Sequence, residues 1–138
     1  MKTRKLTIES RTEQLIAVRE FVSAAARDFG FADEEISKIA LAVDEACTNI
    51  IKHGYQYDSS KTITITIKPD KEAFEVLIKD TGARFNPEEL QTPDMKEYLA
   101  QYKKGGLGVY LMKTLMDKVE YHIHPGEMNE VRLIKYLR

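Results

Sequence analysis

The sequence contains a single cysteine, Cys47, no tryptophan and only four prolines in 138 residues. One thiol excludes a disulfide framework within the chain, and its place on an apolar stripe makes it a packed side chain rather than a nucleophile or a ligand. No apolar run approaches the roughly 18 residues of a membrane-spanning helix, and the opening MKTRKLTIES carries charge without an apolar leader core. Neither sign of charge prevails, since 21 basic residues stand against 22 acidic ones for a net charge of -1. That balance excludes the basic footprint of a nucleic-acid binder and the patch of a membrane-surface protein, so electrostatics must act locally. The expectation is a soluble, cytoplasmic protein with no nucleic-acid or membrane partner. A hydrophobic content of 43% supplies one sizeable core, and the length suits one domain over residues 1–138.

What is present falls into helical and alternating segments. Lys5 to Ile8 alternates as a short first strand. Leu15, Val18, Val22, Ala25, Ala26 and Phe29 form a helical stripe over Thr12 to Phe29, with Thr12 as the expected cap and Gly30 as the stop. Asp33 is expected to cap the next helix, with Glu34 and Glu35 near its positive end. The short connection makes these two helices antiparallel neighbours on one face of a sheet. Thr62 to Lys68 reads TITITIK, a half-buried strand, and Pro69 and Asp70 open the turn to a second arm from Ala73 to Lys79. A helix from the GGLG run to about Asp117 places Leu107, Leu111, Leu115 and Lys118 on one side, with Gly108 and Met112 next to them. Val119 to Ile123 and Val131 to Leu137 finish the chain as strands around Pro125-Gly126. The fold class expected is α+β: a two-layer sandwich whose mixed, mostly antiparallel sheet is covered on one face by about three helices.

The chain is organised around Ile36 to Tyr55. Ile36, Ile39, Ala40, Val43, Cys47, Ile50 and Ile51 recur at three- and four-residue steps and stack on one buried stripe. Glu45 and Asn49, four apart, sit nearly opposite, with small Ala42 and Ala46 beside them where a bulky group can approach the backbone. A carboxylate and a carboxamide thus project into one space, which taken alone is equally a solvated polar face. Further on, Asp80 ends a strand and Gly82 follows two residues later, so the backbone can turn and a flat ring come close to an acceptor. Taken alone, Asp-Thr-Gly is also an ordinary turn. Residues 84–104 are polar and weakly patterned, which suits a lid. Lys103 and Lys104 then precede Gly105, Gly106, Leu107 and Gly108 at a helix start, where free N–H groups and the helix dipole favour phosphate. Glycines there serve equally as punctuation.

The order of these three elements resembles the GHKL ATP-binding superfamily, and within it the anti-sigma-factor serine kinases. DEACTNIIKHGY resembles the N box, DTGARFNP the first glycine box, and GGLGVYLMKTLMD the second. The resemblance spans nearly the whole chain. It implies ATP and Mg²⁺ as cofactors. Asp80 would take the adenine amine and Gly82 would admit the ring. Asn49 would offer oxygen to Mg²⁺, whose other ligands would be phosphate and water. Gly105, Gly106, Leu107 and Gly108 would cradle the phosphates, Glu45 would act as general base, and Lys103 or Lys104 would neutralise developing charge. Thr48 is either a phosphate contact or a solvated or capping hydroxyl. Arg84 departs from the second glycine that many superfamily members carry, which points away from gyrase-like and chaperone-like relatives. His53, His122 and His124 are discounted as metal or phosphotransfer groups, and no segment before the domain offers a phospho-accepting histidine. The partners implied are a STAS-type antagonist as substrate, a sigma factor as sequestered partner, and a second copy of the chain in a homodimer. The alternative is a nucleotide-gated binding module of another partner-switching pathway.

Overall fold

The isoleucines of TITITIK face a common core, and the strand they define lies second in a five-stranded sheet. The structure is a computed structural model and describes residues 2–81, 108–122 and 128–138. The strands are β1 (Arg4–Glu9), β2 (Thr62–Asp70), β3 (Ala73–Asp80), β4 (Lys118–His122) and β5 (Asn129–Tyr136), and the helices are α1 (Leu15–Phe29), α2 (Asp33–Asn49) and α3 (Gly108–Leu115). The sheet order is β1-β2-β3-β5-β4. Every pairing is antiparallel among the described residues, so the sheet is not mixed as expected.

Ile63, Ile65, Ile67, Phe74, Val76, Ile78, Val131 and Leu133 alternate onto one face and are buried with Val18, Val22, Ile39, Val43, Cys47 and Met112 from the three helices. The other face carries charge across the strands, with Arg132 paired to Glu75 and Glu120, and Lys79 to Glu130. Phe29, Phe31 and Phe74 close one end of the core with ring centroids 5.4–5.6 Å apart. Gly30 stops α1 in the left-handed region at φ 113, its N–H reaching Ala26 and Arg27 carbonyls, and only three residues separate α1 from α2.

Several local expectations are corrected. Thr12 opens a 3₁₀ turn (Thr12–Gln14) ahead of α1 and caps nothing. The N-cap of α2 is Ala32, with no side-chain bond, and Asp33 is the first helical residue. The acidic first turn of Asp33, Glu34 and Glu35 is in place at the positive end. Pro69 and Asp70 belong to β2 and the turn is Lys71-Glu72, with Lys71 left-handed at φ 52. Pro69 is tolerated because the pairing of β1 with β2 stops at Ile67, leaving that side of the strand an edge. α3 presents Met112 to the core and ends at Leu115, with Met116 buried just beyond, while Lys118 is the first, exposed residue of β4. A helix closing two residues early cannot carry Lys118 onto its own side.

Candidate nucleotide and phosphate site

α2 carries the central pair. Asp44 and Glu45 are adjacent but differently engaged: Asp44 accepts from Arg19 of α1 at 3.0 Å, whereas Glu45 is partly exposed and makes no hydrogen bond or ion pair among the described residues. One turn on, Asn49 is the last residue of α2 and is 4% exposed, and its Nδ2 has no partner among the described residues. A buried amide without a partner is costly unless a ligand supplies one. Ala42 and Ala46 are fully buried rather than bordering open space; α2 and α3 pack together here, and both alanines share the core with Met112. The small side chains do admit a close neighbour, and that neighbour is another helix. Cys47 is buried as expected, and burial together with Asp44 pushes its thiol pKa well up, which keeps it protonated and inert.

After Asn49 the helix widens. Ile50–Gly54 is a π-turn, with the Tyr55 N–H reaching the Ile50 carbonyl at 2.7 Å. The wider turn rotates the chain, and Gln56 and Tyr57 follow with positive φ. The rotation sends the Tyr55 ring to the sheet, where its hydroxyl donates to the Thr62 carbonyl at 2.7 Å and accepts from the Thr81 N–H at 2.6 Å.

Asp80, the last residue of β3, lies on the core side of the sheet and is 6% exposed. Opposite it across the β3–β5 ladder stands Asn129, whose Nδ2 donates to Asp80 Oδ1 at 3.2 Å. Asn129 is itself buried, and its Oδ1 has no partner among the described residues. The site at the strand end is therefore a carboxylate held by an amide with one further buried acceptor beside it. Sequence reading missed both Tyr55 and Asn129. The alternation through Val131 and Leu133, extended back by one step, would have put Asn129 on the core face, where a polar residue needs a reason.

Gly108 is the first described residue of α3. Gly82, Lys103, Lys104, Gly105, Gly106 and Leu107, and the segment 84–104 expected as a lid, lie outside the described residues. α3 is anchored at its far end: Lys135, on the core side of β5, donates to the Leu115 carbonyl at 2.7 Å and pairs with Glu35 of α2 at 3.2 Å. The helix with Glu45 and Asn49 and α3 are thus tied together by one cation. Among the described residues, no helix is long and apolar enough to cross a membrane.

The histidine kinase-like ATPase domain family matches residues 8–135. The chain is 33% identical over 138 residues to the serine-protein kinase RsbW of Bacillus subtilis (strain 168), covering 96% of this chain and 84% of that protein. It is 34% identical over 123 residues to the serine-protein kinase RsbW of Halalkalibacterium halodurans, covering 86% of this chain and 75% of that protein. Among solved structures it resembles the RsbU and RsbW domains of a Mycobacterium tuberculosis protein, with a TM-score of 0.70 and 16% identity. That likeness concerns the fold alone; it covers 99% of this chain and 33% of the longer one.

Proposed function

Because this chain belongs to the histidine kinase-like ATPase family, we propose that it is an ATP-dependent protein serine kinase acting on a STAS-type antagonist and, in its other partnership, sequestering a sigma factor. The observation that carries the reading is the contrast on α2: Asp44 is consumed by Arg19, while Glu45, its neighbour, has no partner among the described residues and stands one turn from the buried, unpaired amide of Asn49. A carboxylate kept free of structural duty is what a general base requires.

Asp80, steadied by Asn129, accepts a hydrogen bond from the adenine amine, and Gly82 leaves room for the ring. The phosphates lie on the N–H groups at Gly105, Gly106, Leu107 and Gly108, where the dipole of α3 favours the anion. Asn49 suits Mg²⁺ as a neutral hard oxygen donor, since its amide nitrogen makes no competing bond that fixes the group otherwise. When bound, the ion supplies charge neutralisation on the phosphate oxygens. The serine hydroxyl attacks the γ-phosphorus, and Glu45 takes its proton as the new O–P bond forms. The bond from phosphorus to the β–γ bridging oxygen breaks, and ADP leaves. Lys103 or Lys104 offsets the charge developing there. The working form is a homodimer.

The test is Glu45→Ala with the STAS-type protein as substrate. Phosphoserine formation is expected to fall by a factor on the order of a hundred or more, with Mg-ATP affinity changed by less than about threefold. An equal loss of affinity refutes the base assignment. Capture of partners with Mg-ATP and with Mg-ADP tests the switch itself: a sigma factor held with ATP and a STAS protein held with ADP are expected, and nucleotide-dependent capture of some other protein turns the reading to a binding module.

A further inference from the structure

The β2–β3 ladder closes one step early. Its last paired residues are Ile63 and Asp80, so in the same register the next rung would join Thr62 to Thr81. At that place the Thr62 carbonyl and the Thr81 N–H are both occupied by one oxygen, the hydroxyl of Tyr55, at 2.7 and 2.6 Å. The phenol is a donor to one strand and an acceptor from the other. Its single proton is committed to Thr62, so the Thr81 hydroxyl, 3.3 Å away, is the donor in its own contact with Tyr55. Burial pushes the phenol pKa up from its ordinary value, so the proton that holds Thr62 stays in place through the working range of pH. The ring is buried, and its backbone is fixed by the π-turn that follows Asn49. A π-turn that replaces a regular helix end needs a reason, and placing this hydroxyl between two strands is one.

We propose that Tyr55 is a positioning residue for base recognition: its hydroxyl, inserted where the ladder would otherwise close, fixes the backbone on which Asp80 is presented and couples it to the end of the helix bearing Glu45 and Asn49. Without the inserted oxygen, Thr62 and Thr81 either draw together or part, and Asp80, one residue away, turns with them. A hydrogen bond to a flat base tolerates little misdirection, so the loss is read in nucleotide affinity rather than in the chemical step. The inference rests on the reading of Asp80 as the residue that takes the adenine amine.

A double-mutant cycle on Mg-ATP affinity separates the two. Tyr55→Phe keeps the ring and removes the oxygen. It is expected to raise the Kd and KM for ATP about tenfold, with kcat within about twofold. Asp80→Asn is expected to weaken ATP on its own, and in that background Tyr55→Phe should add less than about twofold. Equal penalties in both backgrounds mean that Tyr55 is only structural and overturn the proposal, as does an unchanged Kd in Tyr55→Phe alone. If Asp80→Asn leaves the Kd unchanged, the base assignment fails, and Tyr55 has no such site to position. Should Tyr55→Phe melt below the assay temperature, amide hydrogen exchange at Thr81 in the unaltered chain gives the same decision. Exchange at Thr81 slowed in saturating Mg-ATP by more than at Leu77 in the middle of β3 supports the coupling, and a slowing no greater than there overturns it.

Discussion

Asn129 is the residue whose surroundings most constrain it. Its Nδ2 is given to Asp80, while its Oδ1 lies buried without a partner among the described residues, an arrangement that isolated folding would not favour. Replacing it by aspartate would set two carboxylates side by side in a buried place. Asn129→Asp is expected to lower stability by on the order of 2 kcal/mol at neutral pH. The repulsion raises the folded-state pKa of the pair above its unfolded value, so the penalty is full above that raised pKa and fades as pH falls through it. Urea midpoints from pH 4 to 8 measure this, and a penalty that stays constant with pH would show that the two groups do not face each other. Asn129 and Tyr55 were not legible in advance for one physical reason. Each acts through a residue far along the chain, and local pattern does not say which strand lies beside which. That Glu45 and Asn49 share one helix and that Asp80 ends a strand was legible, because an (i, i+4) pair and a strand end are local facts. That Asp44 rather than Glu45 serves the scaffold was invisible, since its partner Arg19 stands on another helix.

At the scale of elements, the knot at Lys135 governs how α2 and α3 sit. Its side chain is 13% exposed and lies on the face shared by Val131 and Leu133, an apolar face where a cation must be paired. Glu35 supplies the charge and the last carbonyl of α3 the acceptor. Lys135, with Lys38, holds the Glu35 carboxyl pKa below its ordinary 4.5. A depressed carboxylate contributes stability that is complete above its unfolded value and is lost as pH falls toward the folded one. Lys135→Met is therefore expected to cost about 1 kcal/mol at pH 7, chiefly through the carbonyl left without a donor, with the gap from the parent narrowing below about pH 4.5. Chemical denaturation at pH 7 and pH 3.5 reads the difference, and a gap that widens in acid would contradict it. Which side chains of α3 enter the core was not fixed by its leucine spacing. Leu111 and Leu115 are partly buried, Leu115 against the core, while Met112 and Met116 are the fully buried pair. In so short a helix hydrophobic spacing offers two rival faces, and contact with α2 decides between them.

For the whole molecule, the two-layer arrangement followed from sequence because three amphipathic helices and alternating strands leave few ways to bury their apolar sides. The strand order did not follow: β5 inserts between β3 and β4, which is what brings Asn129 to Asp80. A ligand that touches the ends of α2, β3 and α3 joins elements from separate parts of the chain, so its binding should oppose unfolding of the entire domain. At a free Mg-ATP concentration a hundred times its Kd, stability is expected to rise by about 2.7 kcal/mol. For a chain of this size that is a shift of roughly 10 °C in melting temperature. Scanning calorimetry with and without nucleotide checks it, and no shift would place ATP outside the folded domain.

The interior position of β5 also dictates when the fold can exist. Among the five strands it is the last to be synthesised, yet it fills a central place, flanked by β3 on one side and β4 on the other. Until it emerges, β3 offers a bare edge and the hydrophobic layer of Ile63, Ile65, Val76 and Ile78 lacks its neighbour Leu133. Closing the sheet thus needs a segment distant along the chain, the kind of non-local pairing that slows folding and leaves an edge open to misassociation in the meantime.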